Sequence, residues 1–391
     1  MLAMFVNSIN RAKQRTIKFY LVAICLVSIL FPYSLGASGA AQSGVKQVPF
    51  AQLIKQLSEP GGFFFSDNLV SNEASYLHVV PKLEELGIRG GVYLGVGPEQ
   101  NFTYIARTRP ARAFILDIRR DNMVQHLMFK ALFIRGRTRA EYLSLLFSKP
   151  LNKNHKRLKD ATIGELVSYF DHTPTDEALF KRNLEKIKKM IRDDFGVTLT
   201  EDDLKSLDSM YRSFSFINLN LRYETSYGRS MQPYLPTLRT LLLERNLDGK
   251  QQNYLAAEED YQFVRRLHEQ DLIVPVTGDF AGPHALKAIG DYIRSLGERV
   301  SVFYTSNVEY YLMRNGVFPQ FVESVRRLPI DDRSVFIRSF FGFGYNHPEA
   351  VPGYFGSTHL QKMSNFLKLY DQGRYRSYYD LGIVDYISVR E

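Results

Sequence analysis

Apolar positions gather along this chain in two distinct ways. Short, nearly unbroken apolar runs occur at VYLG (92–95), AFIL (113–116), LIVPV (272–276), VSVFY (300–304) and SVFI (334–337). Each is followed by glycine or polar residues, as expected for parallel strands covered on both faces. Between them, apolar residues recur at helical spacing in EQNFTYIARTRP, DNMVQHLMFKALFI, AAEEDYQFVRRLHEQ and GPHALKAIGDYIRSLG. Upstream, 47–60 reads as a short helix closed by Pro60. Residues 71–87 read as a helix broken or restarted at Pro81.

Strands alternating with helical connections of about a dozen residues predict an α/β fold. The expected architecture is an open, mostly parallel Rossmann-like sheet of at least five strands with helices on both faces. Residues 135–230 interrupt it with RGRTRAEYLSLLFSKP, NKNHKRLKD and TDEALFKRNLEKIKKMIRDDFG. Acids and bases alternate there as on solvated helix faces, so a helical insertion is expected, with Thr200 as one N-cap. The Gly- and Tyr-rich tail after 341 is expected to close a sheet edge or cover the site. Residues 44–391 then form a single α/β domain.

The first 43 residues follow another pattern. Arg11, Lys13, Arg15 and Lys18 precede an apolar run over 19–31, and small residues follow in SLGASGAAQ. This predicts a signal peptide or an uncleaved anchor, with the rest exported and membrane contact through the apolar segment. A cytoplasmic location applies if the leader is an artefact of the chosen start.

Composition narrows the chemistry. With 391 residues and 45% hydrophobic content the chain can bury a real core. Its net charge of +9 has no aromatic-interleaved basic cluster that would signal nucleic acid. The single cysteine, Cys25, excludes an internal disulfide and a cysteine-based zinc site. Eight scattered histidines form no H-E-x-x-H pattern, so no metal site is expected.

Ligands of open α/β sheets bind beyond the carboxyl ends of the strands. The first predicted end is GVG, with Gly95 and Gly97. The second is Asp117, 22 residues after Gly95, a spacing suited to holding ribose hydroxyls. Later ends carry Asp279 in TGD, Thr305, Ser306 and Asn307 in TSN, and Arg338–Ser339. Such residues serve a nucleotide-type or adenosyl ligand, or are plain turns and caps; both readings stand at this point. No third glycine completes G-x-G-x-x-G, and no G-K-[ST] follows. Glu99 and Asp117 near one pocket repel a pyrophosphate and tolerate a ribose or a sulfonium. His284, five residues after Asp279, is a candidate for proton transfer, and Tyr310 and Tyr311 are candidates to line the pocket.

The order YLGVGPEQN, AFILDIRR, VTGD and YTSNVEYYL resembles the core of class I S-adenosylmethionine-dependent methyltransferases. FFFSDNLVSNE, GVGPEQNFTYIA and AFILDIRRDNMVQHLMFKALF resemble an uncharacterised bacterial family described only as methyltransferase-like. The resemblance implies S-adenosylmethionine as cofactor and a small-molecule partner. It implies cofactor contacts at Gly95, Gly97, Glu99, Asp117 and Asp279, and substrate contacts at Thr305, Ser306 and Tyr310. Asn307 and His284 are the catalytic candidates. Three features depart from the superfamily pattern: Tyr93 stands where an acid is usual, Glu99 where a third glycine is usual, and the turn after the fourth strand is TSN in place of the Asn/Asp-Pro-Pro-Tyr arrangement of amino-group methyltransferases. The alternative is a non-catalytic, exported or anchored ligand-binding protein that keeps the fold.

Overall fold

The computed structural model describes residues 48–153, 155–224, 235–341 and 346–390. The sheet has six strands: β1 (Val92–Gly95), β2 (Arg112–Asp117), β3 (Ile273–Thr277), β4 (Val300–Ser306), β5 (Val335–Phe341) and β6 (Gly356–Lys362). Their order is β3-β2-β1-β4-β5-β6, parallel except for β6, which runs antiparallel to β5. The five expected strands are all present. Every residue of β1 and β5 is buried, which explains their continuous apolar runs. Pro275 lies within β3, opposite Ile115; it is tolerated because β3 is an edge strand.

Helices Gln100–Thr108 and Arg120–Arg135 follow β1 and β2, and Ala285–Ser295 and Val308–Arg314 follow β3 and β4. Between β2 and β3 lies the expected helical insertion, including Arg139–Phe147, Ile163–His172, Glu177–Lys189 and Glu201–Phe216. Thr200 caps the last of these: its hydroxyl accepts from the Asp203 amide, while the Asp203 carboxylate accepts from the Thr200 amide. Pro81 initiates a helix and breaks none. A 3-10 turn at Ala74–Leu77 precedes the helix Val80–Glu85, in whose first turn the missing proline N–H costs nothing.

The expected membrane contact, and export or anchoring through the apolar segment, are corrected. Among the described residues no helix is long and apolar enough to cross a membrane. Those readings are withdrawn; the leader itself, 1–43, lies outside the described residues.

Candidate functional site

The strand order reverses between β1 and β4, and a crevice opens beyond the carboxyl ends at such a switch point. A cleft of about 310 Å³ lies there, at the low end of small-molecule sites, roughly 300–1,000 Å³. The segment 58–73 forms its roof. That segment is tied across the sheet's end: the Glu59 amide donates to Thr277 O (2.9 Å) and the Gly62 amide to Ile118 O (2.8 Å). From it Phe63, Phe64, Phe65, Asn68 and Glu73 reach the cleft.

The turn after β1 is held from below. Asn101 Nδ2 donates to Val96 O (2.9 Å) and Pro98 O (2.7 Å), and Asn101 Oδ1 accepts from the Tyr93 hydroxyl (2.9 Å). Gly97 O accepts from Asn122 Nδ2 and from His126 Nε2, both at 2.8 Å. Burial holds His126 down to about 4, so its ring is neutral and Nε2 carries the proton. Gly95 is needed for this staple: a Cβ there would meet Asn101 Oδ1 at 2.0 Å. Gly97 lines the cleft with φ +79°, a left-handed conformation that favours glycine. Of the two glycines, therefore, Gly97 faces the ligand space and Gly95 makes room for the staple.

Three carboxylates line the cleft. Asp117 is buried and accepts from the Arg119 amide (2.9 Å) and guanidinium (3.2 Å). Asp279 accepts from the Ala281 amide (2.9 Å). Glu73, 2% exposed, accepts from Gln100 Nε2 (2.9 Å), the Tyr304 hydroxyl (2.8 Å) and the Ser306 hydroxyl. Among the described residues lining the cleft, none is Lys, Arg or His.

Glu99 lies elsewhere. It faces a void of about 10 Å³ with Tyr76, Thr103 and Tyr254, and burial pushes its carboxyl up to about 8. At the end of β4, Ser306 and Asn307 line the cleft, whereas Thr305 is fully buried and does not. Ser306 has φ 54°, uncommon outside glycine, and this aims its hydroxyl at Glu73. Tyr311 lines the cleft; Tyr310 packs edge-on against Tyr311 and Tyr378. His284 is exposed, outside the cleft lining, with Nε2 against Gln56 O (2.8 Å). Arg338 is bound to Glu309 (2.8 Å) in the core.

A family of chains described as a domain of unknown function (DUF7790) matches residues 68–383. The chain belongs to that family. No curated protein matches it. The family's domain begins within the roof, so Asn68, Glu73, the turn after β1 and the ends of β2 to β5 all lie inside the match. Its Rossmann-like mixed sheet is consistent with the broader methyltransferase-like superfamily.

Sequence reasoning reached Gly97, Asp117, Asp279, Ser306 and Asn307, which the structure brings together around one cleft. It missed Glu73, Asn68, Tyr223 and Tyr304 as lining residues. The aromatic run FFF and the polar run SDN before the first strand were the available signal for the roof.

Proposed function

We propose that the cleft binds an adenosyl sulfonium or its thioether, and that the protein is an S-adenosylmethionine-dependent methyltransferase acting on a small molecule. The supporting observation is the lining: carboxylates at three points, aromatic side chains and, among the described residues, no cationic side chain. A phosphate-bearing cofactor would meet carboxylates and no cationic lining residue to offset them among the described residues, whereas a ribose or a sulfonium meets acceptors or attraction. On this reading Asp117 and Asn68 hold the sugar, and Gly97 lets the backbone approach. Asp279 and Phe280 also line the cleft.

The residues fit such a cofactor, which supplies a methyl group whose S–C bond breaks with its electron pair left on sulfur. The chain's task is then alignment and exclusion of water. Phe63, Phe64 and Phe65 cover the cleft, and the Asn101 staple keeps the turn from shifting when a ligand binds.

Calorimetry with S-adenosylhomocysteine tests this reading. Saturable binding is expected. Asp117→Ala should weaken it by about tenfold or more, the loss of hydrogen bonds to a charged group being about 1.5–3 kcal/mol. Folded protein that gives no heat at millimolar ligand would sink the reading.

A further inference from the structure

Among the buried carboxylates of the described residues, one stands apart. Glu73, Glu99, Asp117, Asp203, Asp260, Glu309 and Glu349 are buried among the described residues. Five have an arginine: Asp117 with Arg119 (3.2 Å), Asp203 with Arg120 (2.8 Å), Asp260 with Arg107 (2.9 Å) and Arg109 (2.5 Å), Glu309 with Arg338 (2.8 Å), and Glu349 with Arg390 (3.7 Å). Glu99 avoids the cost by holding its proton, since burial pushes it up to about 8. Among the described residues Glu73 has only neutral donors, Gln100, Tyr304 and Ser306, and no Lys, Arg or His pairs with it. It is also the one of the two without a cation that lines the cleft. A buried anion is ordinarily matched by a cation.

The surroundings suit an organic cation. Phe64, Phe65 and Tyr311 form a cluster with centroids 4.5, 5.2 and 5.9 Å apart, and all three line the cleft with Glu73. Aromatic faces attract ammonium groups through the ring quadrupole. Tyr304 and Ser306 fix the carboxylate from β4, and Asn307 and Asn315 are further neutral polar groups of the same cleft lining.

We infer that Glu73 and this aromatic cluster form the acceptor subsite, and that the acceptor is an amine bound as its ammonium. This rests on the methyltransferase reading for the reaction, though not for the binding. In the transfer, the ammonium nitrogen gives up one proton, for which the Glu73 carboxylate is the acceptor within the subsite. Its lone pair then forms the N–C bond to the methyl carbon as the S–C bond breaks. The products are the methylated ammonium, the neutral thioether and one proton passed to solvent.

The test compares benzylammonium with benzyl alcohol, binding of each being read by calorimetry on the full chain. Wild type should prefer the ammonium by about tenfold or more. Glu73→Gln should abolish that preference, and Tyr311→Leu, which leaves the carboxylate in place, should weaken ammonium binding several-fold. Benzylammonium should still bind protein saturated with S-adenosylhomocysteine. Equal affinity for amine and alcohol in wild type, or a preference that survives in folded Glu73→Gln, overturns the inference. So does a Glu73→Gln chain that loses S-adenosylhomocysteine while keeping 5′-methylthioadenosine, because the carboxylate would then serve the cofactor's own α-ammonium. If benzylammonium binds selectively and no adenosyl thioether binds, the methyltransferase reading fails and the ammonium site stands.

Discussion

At the scale of single residues, adjacent positions in the sequence have opposite fates. Glu99 stands two residues after Gly97, yet as N-cap of Gln100–Thr108 it turns away from the cleft into apolar surroundings. Tyr310 and Tyr311 differ by one step of about 100° around a helix, so spacing alone could not choose between them. Asp117, Ser306 and Asn307 were legible because a buried strand must end in something polar, and the strands themselves were unmistakable. Glu73 was not, because 71–87 reads as a helix whereas 71–73 is loop, ahead of the 3-10 turn Ala74–Leu77. Glu99 carries a prediction. Its folded carboxyl titrates near 8 against an ordinary 4.5, so between those values the folded chain binds a proton that the unfolded chain has released. The stability from this protonated group is therefore complete below about pH 4.5 and is lost as pH rises through about 8. Glu99→Gln should remove that slope. Urea unfolding at about pH 5 and pH 8 should show the variant gaining about 1 kcal/mol or more on wild type at the higher pH.

At the scale of elements, the roof is fixed by a cap. The Glu59 carboxylate accepts from the amides of Asp279 (3.0 Å), His284 (2.8 Å) and Ala285 (3.3 Å), at the start of the helix Ala285–Ser295. A negative group is favourable at a helix N-terminus, and these donors have no partner within the helix. Glu59→Ala should cost about 1–2 kcal/mol in urea unfolding, and Glu59→Gln less, because an acceptor oxygen remains. His284 thus belongs to a helix start anchored to the roof. Strand β6 shows the limit of pattern reading at this scale. GSTHLQK is polar in sequence yet almost wholly buried, because it lies between β5 and the 3-10 turn Ala74–Leu77. Thr358 meets Ser75 at 2.9 Å, and Gln361 accepts from Arg338 at 2.6 Å. Hydrogen bonding, and no apolar alternation, holds that edge, so hydropathy carried no trace of it.

At the scale of the whole molecule, the fold was readable because parallel strands buried on both faces must be apolar, and five were. The cleft depends on pieces far apart in sequence, which no local pattern links. A ligand bridging them should stabilise the chain as a unit. At a free concentration of about 100 times Kd, S-adenosylhomocysteine should add about 2.7 kcal/mol to unfolding. Hydrogen exchange should slow together at 58–73 and at 304–312 if both close on one ligand. The distance between the roof and its anchors has a further consequence, in time. Glu73 is bonded by Ser306, 233 residues later in the chain. At about 5–20 residues per second, the roof waits on the order of 10–50 s during synthesis for its last partner to emerge. The cleft is thus complete only once β4 and the helix after it are made, and a nascent chain stopped before β4 would carry a roof over one side of its cleft alone.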